Sequence, residues 1–159
     1  AELLKKKYLN WRFVVVGDFN YESPDMISND RLKKYTDNKK IEFWGFKEDM
    51  LDVYKLAKIV CLPSYREGFP KILIEAAALG LPTIVSDDPG CQEAIIPNKT
   101  GLISPVKNIE KLAENIIILM TNSELYKDFS NNSKILARNS FNIKNITESH
   151  QNIYYKLGT

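Results

Sequence analysis

Lys58-Ile59-Val60-Cys61-Leu62-Pro63 leads into Ser64-Tyr65-Arg66-Glu67-Gly68-Phe69-Pro70. Next come Lys71-Ile72-Leu73-Ile74-Glu75-Ala76-Ala77-Ala78-Leu79-Gly80 and Leu81-Pro82-Thr83-Ile84-Val85. In this order the chain spells strand, glycine turn, helix, strand. The first apolar run is short and bounded, as a buried strand is. Pro70 suits the first helical position, where no amide donor is needed. Gly80 suits the end of a helix. The alternation extends outward in both directions. Residues 11–16 read as a buried parallel-type strand, 26–36 as a helix with Ile27, Leu32 and Tyr35 inward, and 41–44 as a strand. Residues 47–57 read as a helix whose apolar side holds Met50, Leu51, Val53, Tyr54 and Leu56. Strand 83–85, a short helix over 92–96 and a last strand over 101–103 follow. From Asn108 onward the spacing is helical, with further helices over 124–139 and 143–157. Residues 1–9 read as the end of a helix, and 19–25 as a polar loop. Strands alternating with helices imply an α/β fold with a doubly wound parallel sheet.

Glu67 and Glu75 stand eight residues apart. Glu67 lies at the helix mouth. Glu75 lies inside the helix, roughly 7.5 Å beyond Pro70 at 1.5 Å per residue. Free N–H groups at such a start, with the positive end of the helix dipole, favour an anion. Gly68 has no side chain to hold a ligand off the backbone. Among Ile72, Leu73, Ile74, Ala76 and Ala78, the Glu75 carboxylate must be expensively buried or paired with hydroxyls. Two adjacent ribose hydroxyls would satisfy both its oxygens, and Glu67 could accept from a hexose. Together they outline a nucleotide-sugar site. Lys71 adds weak support: a cation in the first turn opposes the dipole by about 0.3–1 kcal/mol, which a bound phosphate would offset. Solvation of Lys71, or a pair with Glu75 at i,i+4, weighs equally.

Bulk properties narrow the classes. A chain of 159 residues is long enough for a real core. Net charge is +2, from 22 basic and 20 acidic residues, which argues against nucleic-acid or membrane-surface binding driven by charge. The runs Lys5-Lys6-Lys7 and Lys39-Lys40 read as solvated faces. Cys61 and Cys91, the two cysteines, read as free thiols in a reducing compartment. There is no signal peptide and no apolar stretch of membrane-spanning length, so a cytoplasmic location is expected. Asparagine sequons at Asn98, Asn131 and Asn145 read as chance. Gly17-Asp18-Phe19-Asn20 is not a dinucleotide fingerprint, and no Gly-Lys-Ser/Thr phosphate loop exists. His150, the one histidine, reads as structural or solvated. No metal-ligand cluster and no cofactor motif is visible.

The motifs Ser64-x-x-Glu67-Gly68-Phe69-Pro70, Glu75-Ala76-Ala77-Ala78-x-Gly80-x-Pro82, Pro89-Gly90-x-x-Glu93 and Thr100-Gly101-Leu102-Ile103 resemble the C-terminal domain of retaining GT-B glycosyltransferases. The closest group is the glycogen-synthase-like, group 1 polysaccharide transferase family. The terminal stretch 141–157 also resembles that family's last helix. The resemblance implies a Rossmann-like domain over residues 1–159, the C-terminal half of a GT-B fold with C-terminal helices. It further implies a fragment, lacking the N-terminal acceptor domain, the first strand and a loop whose Arg and Lys neutralise the diphosphate. Glu75 resembles the ribose-binding glutamate, and Glu67 the catalytic-site glutamate near the donor sugar. Gly68, Phe69 and Pro70 would contact sugar and diphosphate, with Lys71 as a supplement. Gly17 matches a glycine near the phosphates. Trp44, Gly45 and Phe46 match a segment near the base. Gly17, Gly45 and residues 64–70 all follow strands, so they are expected to face one cleft. Glu93 is expected to cap or brace a loop.

The implied reaction is transfer of a hexose from a UDP- or GDP-sugar, with retention, to a glycan or lipid-linked acceptor in surface polysaccharide synthesis. The full-length protein would lie in the cytoplasm or at the inner face of the membrane. The alternatives are a nucleotide-sugar-binding module inactive alone, a GT-B sugar-nucleotide epimerase or phosphorylase, and a structural α/β domain with a chance glutamate pair.

Overall fold

The computed structural model describes residues 1–5, 10–18, 29–38 and 40–158. The expected loop over 19–25, the helix start at 26–28 with Ile27, residues 6–9 and the Leu32 side chain lie outside the described residues. The chain divides into two units, Ala1–Asp52 and Val53–Thr159.

The first unit holds helix α1 (Glu2–Lys5), strand β1 (Val14–Val15), helix α2 (Asn29–Asp37) and strand β2 (Glu42–Phe43). β1 and β2 pair in parallel, Val14 opposite Glu42 and Val15 opposite Phe43. The strand expected over 11–16 shrinks to two residues, and Val15 is 37% exposed rather than buried. β1 has one strand partner among the described residues, too few to cover it. Helix α3 (Leu51–Leu56) is also shorter than the expected 47–57. The Asp49 side chain accepts from the Leu51 N–H at 2.8 Å, so the helix starts there. Tyr54 alone in α3 is buried, while Leu51 and Leu56 are exposed.

The second unit carries strand β3 (Val60–Leu62), helix α4 (Lys71–Leu79), strand β4 (Thr83–Ser86), helix α5 (Pro89–Glu93) and strand β5 (Gly101–Ser104). Helices α6 (Ile109–Thr121), α7 (Ser123–Ser140) and α8 (Ile143–Leu157) follow. The sheet order is β3-β4-β5, all parallel. β4 is central and wholly buried. Its successive residues point to opposite faces. Ile84 joins Leu119 of α6 and Phe129 of α7. Val85 joins Leu73 of α4 and Cys91 of α5. Helices therefore cover both faces, the doubly wound arrangement expected from the alternation.

The expected end of α4 at Gly80 is kept, and two other expectations shift. Gly80 ends α4 in the left-handed region, φ 71°, where a side chain would be strained. Asn108, Asn122 and Asn142 cap α6, α7 and α8. Pro70 is the residue before the first helical turn, with extended ψ 118°, not the first helical residue. The short helix expected over 92–96 starts earlier, because Asp88 caps it and Pro89 follows. Among the described residues no helix is long and apolar enough to cross a membrane.

Candidate functional site

The loop between β3 and α4 carries Glu67, and the segment after β4 holds it from behind. Ser86 Oγ donates to the Ser64 carbonyl. The Asp88 carboxylate accepts from the Glu67 N–H at 3.1 Å and from the Cys91 N–H at 3.3 Å. Gly90 closes the third point. A Cβ there would lie 2.1 Å from the Gly68 carbonyl oxygen and 2.3 Å from that of Glu67, so only glycine admits this approach. Asp88 is 8% exposed and Cys91 wholly buried. Burial, then the Asp88 and Glu67 carboxylates, push the Cys91 thiol up to about 11. This thiol stays protonated at neutral pH, as a structural cysteine does. Glu67 is half-buried, and Gly68 and Phe69 are exposed. Phe69 stands edge-to-face on Phe141 at 5.7 Å. Pro70 is buried.

No side chain caps α4 at Pro70. The Leu73 N–H donates to the Pro70 carbonyl at 3.1 Å, so the Lys71 and Ile72 N–H groups keep the anion-favouring character of a helix start. Lys71 is exposed at that start and makes no ion pair among the described residues. Its expected alternative partner, Glu75, is engaged elsewhere.

Glu75 corrects one expectation in part. It is exposed, not buried, because α4 turns this position away from the Leu73, Ala76 and Ala77 face. It is nevertheless held by a hydroxyl: Tyr54 Oη donates to Glu75 Oε2 at 2.7 Å. Burial, then this hydrogen bond and the Glu75 charge, hold the Tyr54 phenol protonated well above its ordinary range. The sequence reading placed Tyr54 only on an apolar helix side. A phenol on the apolar side of a helix is no signal by itself; the fold alone sets it against Glu75.

Glu93 is a second correction. It is exposed and makes no hydrogen bond among the described residues. Asp88 does the capping and bracing expected of Glu93. An acidic residue directly before Pro-Gly is an N-cap signature, so that signal was present in the sequence.

In the first unit, Gly17 and Gly45 are brought together: the Gly17 N–H donates to the Gly45 carbonyl at 3.1 Å. Gly45 has φ 70°, a left-handed turn that ends β2. Trp44 is fixed by its neighbours, with Arg12 over its ring at 5.3 Å and its indole N–H on Glu42 at 3.2 Å. Phe46 is 70% exposed. His150 is exposed on α8.

Beyond the ends of β4 and β5, Ser86, Ser104, Tyr65, Lys107 and Asn108 line a cavity of about 210 Å³. Lys107 Nζ lies 5.6 Å from the centre of the Tyr65 ring. Among the described residues no group of three or more His, Cys, Asp or Glu side chains could hold a metal ion.

The profile of the family described as Glycosyl transferases group 1 matches residues 1–135. An uncharacterized glycosyltransferase of Haemophilus influenzae is 30% identical over 154 residues, covering 96% of this chain and 42% of its own length. The N,N'-diacetylbacillosaminyl-diphospho-undecaprenol alpha-1,3-N-acetylgalactosaminyltransferase of Campylobacter jejuni is 34% identical over 133 residues, 84% of this chain and 33% of its own. The chain thus spans less than half the length of either relative. The C-terminal domain of a glycosyl transferase group 1 family protein, LpcC of Francisella tularensis, superposes with a TM-score of 0.75 at 25% identity. That match covers 89% of this chain and 75% of that one.

Proposed function

The chain belongs to the group 1 glycosyl transferases, and on that footing we propose that it forms the donor-binding part of a longer enzyme. That enzyme moves a hexose from a nucleotide diphosphate sugar to a glycan or lipid-linked acceptor, with retention at the anomeric carbon. The observation that carries the reading is the start of α4: an uncapped helix end flanked by Glu67 and an exposed, oriented Glu75.

In this reading each group has one task. The Glu75 carboxylate accepts from the ribose hydroxyls of a UDP- or GDP-sugar. The Lys71 and Ile72 N–H groups at the start of α4, with the bare backbone at Gly68, carry the diphosphate. Glu67, steadied by Asp88, accepts from hydroxyls of the donor sugar. Phe69 and Pro70 line the sugar and diphosphate, and Lys71 adds positive charge. Departure of a diphosphate needs such charge and donors aimed at it. Gly17, Trp44, Gly45 and Phe46 are proposed to meet the phosphates and base. The two glutamates are not a glycosidase pair, since one grips ribose rather than protonating a leaving oxygen. The undecaprenol-linked substrate named for the Campylobacter relative supports a lipid-linked acceptor.

The test is Glu75→Gln in the full-length enzyme, followed by calorimetry with UDP and GDP and by transfer assay. A hydrogen bond to a charged group contributes about 1.5–3 kcal/mol, so donor affinity should fall roughly tenfold or more. Unchanged affinity and turnover would sink the assignment. The chain by itself is expected to bind nucleotide weakly and transfer nothing; turnover by residues 1–159 alone would contradict the donor-half reading.

A further inference from the structure

Glu75 is a long, exposed side chain, yet one of its oxygens is tied down. Tyr54 Oη reaches it from α3 across 21 residues of sequence at 2.7 Å. Tyr54 is 5% exposed and is the one buried residue of its helix. A buried ring with two torsions has little freedom to follow a moving partner. The partner is therefore the one that is positioned, and a free glutamate would otherwise spread over many rotamers. The bond occupies Oε2. Oε1 has no hydrogen bond among the described residues. Burial and the neighbouring carboxylate keep the phenol protonated and hence a donor. No lysine or arginine pairs with Glu75 among the described residues, so the orienting contact comes from a neutral hydroxyl.

We propose that Tyr54 is a positioning residue that turns Glu75 so that its free oxygen meets the ribose, and so sets discrimination between ribose and deoxyribose nucleotides. This rests on the donor-site reading above. A site that hydrogen-bonds a hydroxyl rejects the analogue lacking it, because its own polar group is left unpaired. The rejection is sharp only when that polar group cannot swing away. Tyr54 supplies that restraint.

The experiment uses the full-length enzyme, with UDP, GDP and their 2′-deoxy analogues as probes. Binding of each is measured in wild type, Tyr54→Phe, Glu75→Gln and the double variant. Tyr54→Phe keeps the buried ring, and a thermal melt of each protein checks folding. The readout is the affinity ratio of ribo- to 2′-deoxyribonucleotide, which a tie serving only to join two helices would not move. The expected result is a ratio reduced roughly three- to tenfold by Tyr54→Phe, the loss of about one hydrogen bond. In the Glu75→Gln background the same change should then have no further effect. If Glu75→Gln narrows the ratio while Tyr54→Phe leaves it intact, or if the two effects simply add, the positioning role is overturned and the ribose reading stands. If Glu75→Gln leaves the ratio unchanged, or neither diphosphate binds, the ribose reading itself fails and this inference with it.

Discussion

Thr83 and Gly101 face each other across the β4–β5 ladder, and the pair shows how closely single groups are fitted. A Cβ on Gly101 would lie 2.4 Å from Thr83 Oγ1 and 2.6 Å from its carbonyl oxygen. Gly101 is therefore needed for close approach, a reading its place in a strand already suggests. Thr83 Oγ1 is itself buried without a hydrogen-bond partner among the described residues. An unsatisfied buried hydroxyl costs about 1–3 kcal/mol. Thr83→Val keeps the shape and removes that group. It should raise stability by about 1 kcal/mol, measured as a higher denaturation midpoint; a lower midpoint would mean the hydroxyl is satisfied. Glu75 makes the same point in reverse. Its identity and place in α4 were legible in the sequence, but its exposure and its Tyr54 partner were not. Both depend on which side of α4 meets the sheet.

Among the elements, the α4 segment was read almost as it stands, because its signals are local. Pro70, the apolar run and Gly80 specify start, body and end within one stretch, with Pro70 displaced by one position. The helix after β4 starts earlier than the expected 92–96 because Asp88 caps it and Pro89 takes its first position. That segment matters beyond its own fold, since Ser86, Asp88 and Gly90 each touch the loop that carries Glu67. Gly90→Ala would place a methyl group against the Glu67 and Gly68 carbonyls. The backbone must then move, at a cost of about 1–3 kcal/mol. We expect a lower melting temperature together with weaker nucleotide-sugar binding, read by titration. Loss of stability with unaltered binding would separate this brace from the site. The strands of the first unit were overestimated for a different reason. Apolar content alone suggested length, whereas β1 and β2 extend only where they pair.

Among the described residues of the whole chain, burial is concentrated in the second unit around β4, while α8 has no buried residue. Ile143, Tyr155 and Leu157 of α8 are each more than 70% exposed. A helix of this length gains little stability from propensity alone. Its amides should therefore exchange with deuterium far faster than those of β4 in residues 1–159. Equal protection of the two would show that α8 is held by something more than its own backbone. The α/β class, the strand–helix order and the Glu67–Glu75 segment follow from sequence, because periodicity, turn residues and helix ends act over a few neighbouring positions. The Tyr54–Glu75 hydrogen bond, the Asp88 and Gly90 brace and the Gly17–Gly45 contact belong to tertiary structure alone. Each joins groups about 20 or more residues apart, and only strand pairing and packing within each unit bring such groups within hydrogen-bond or van der Waals reach.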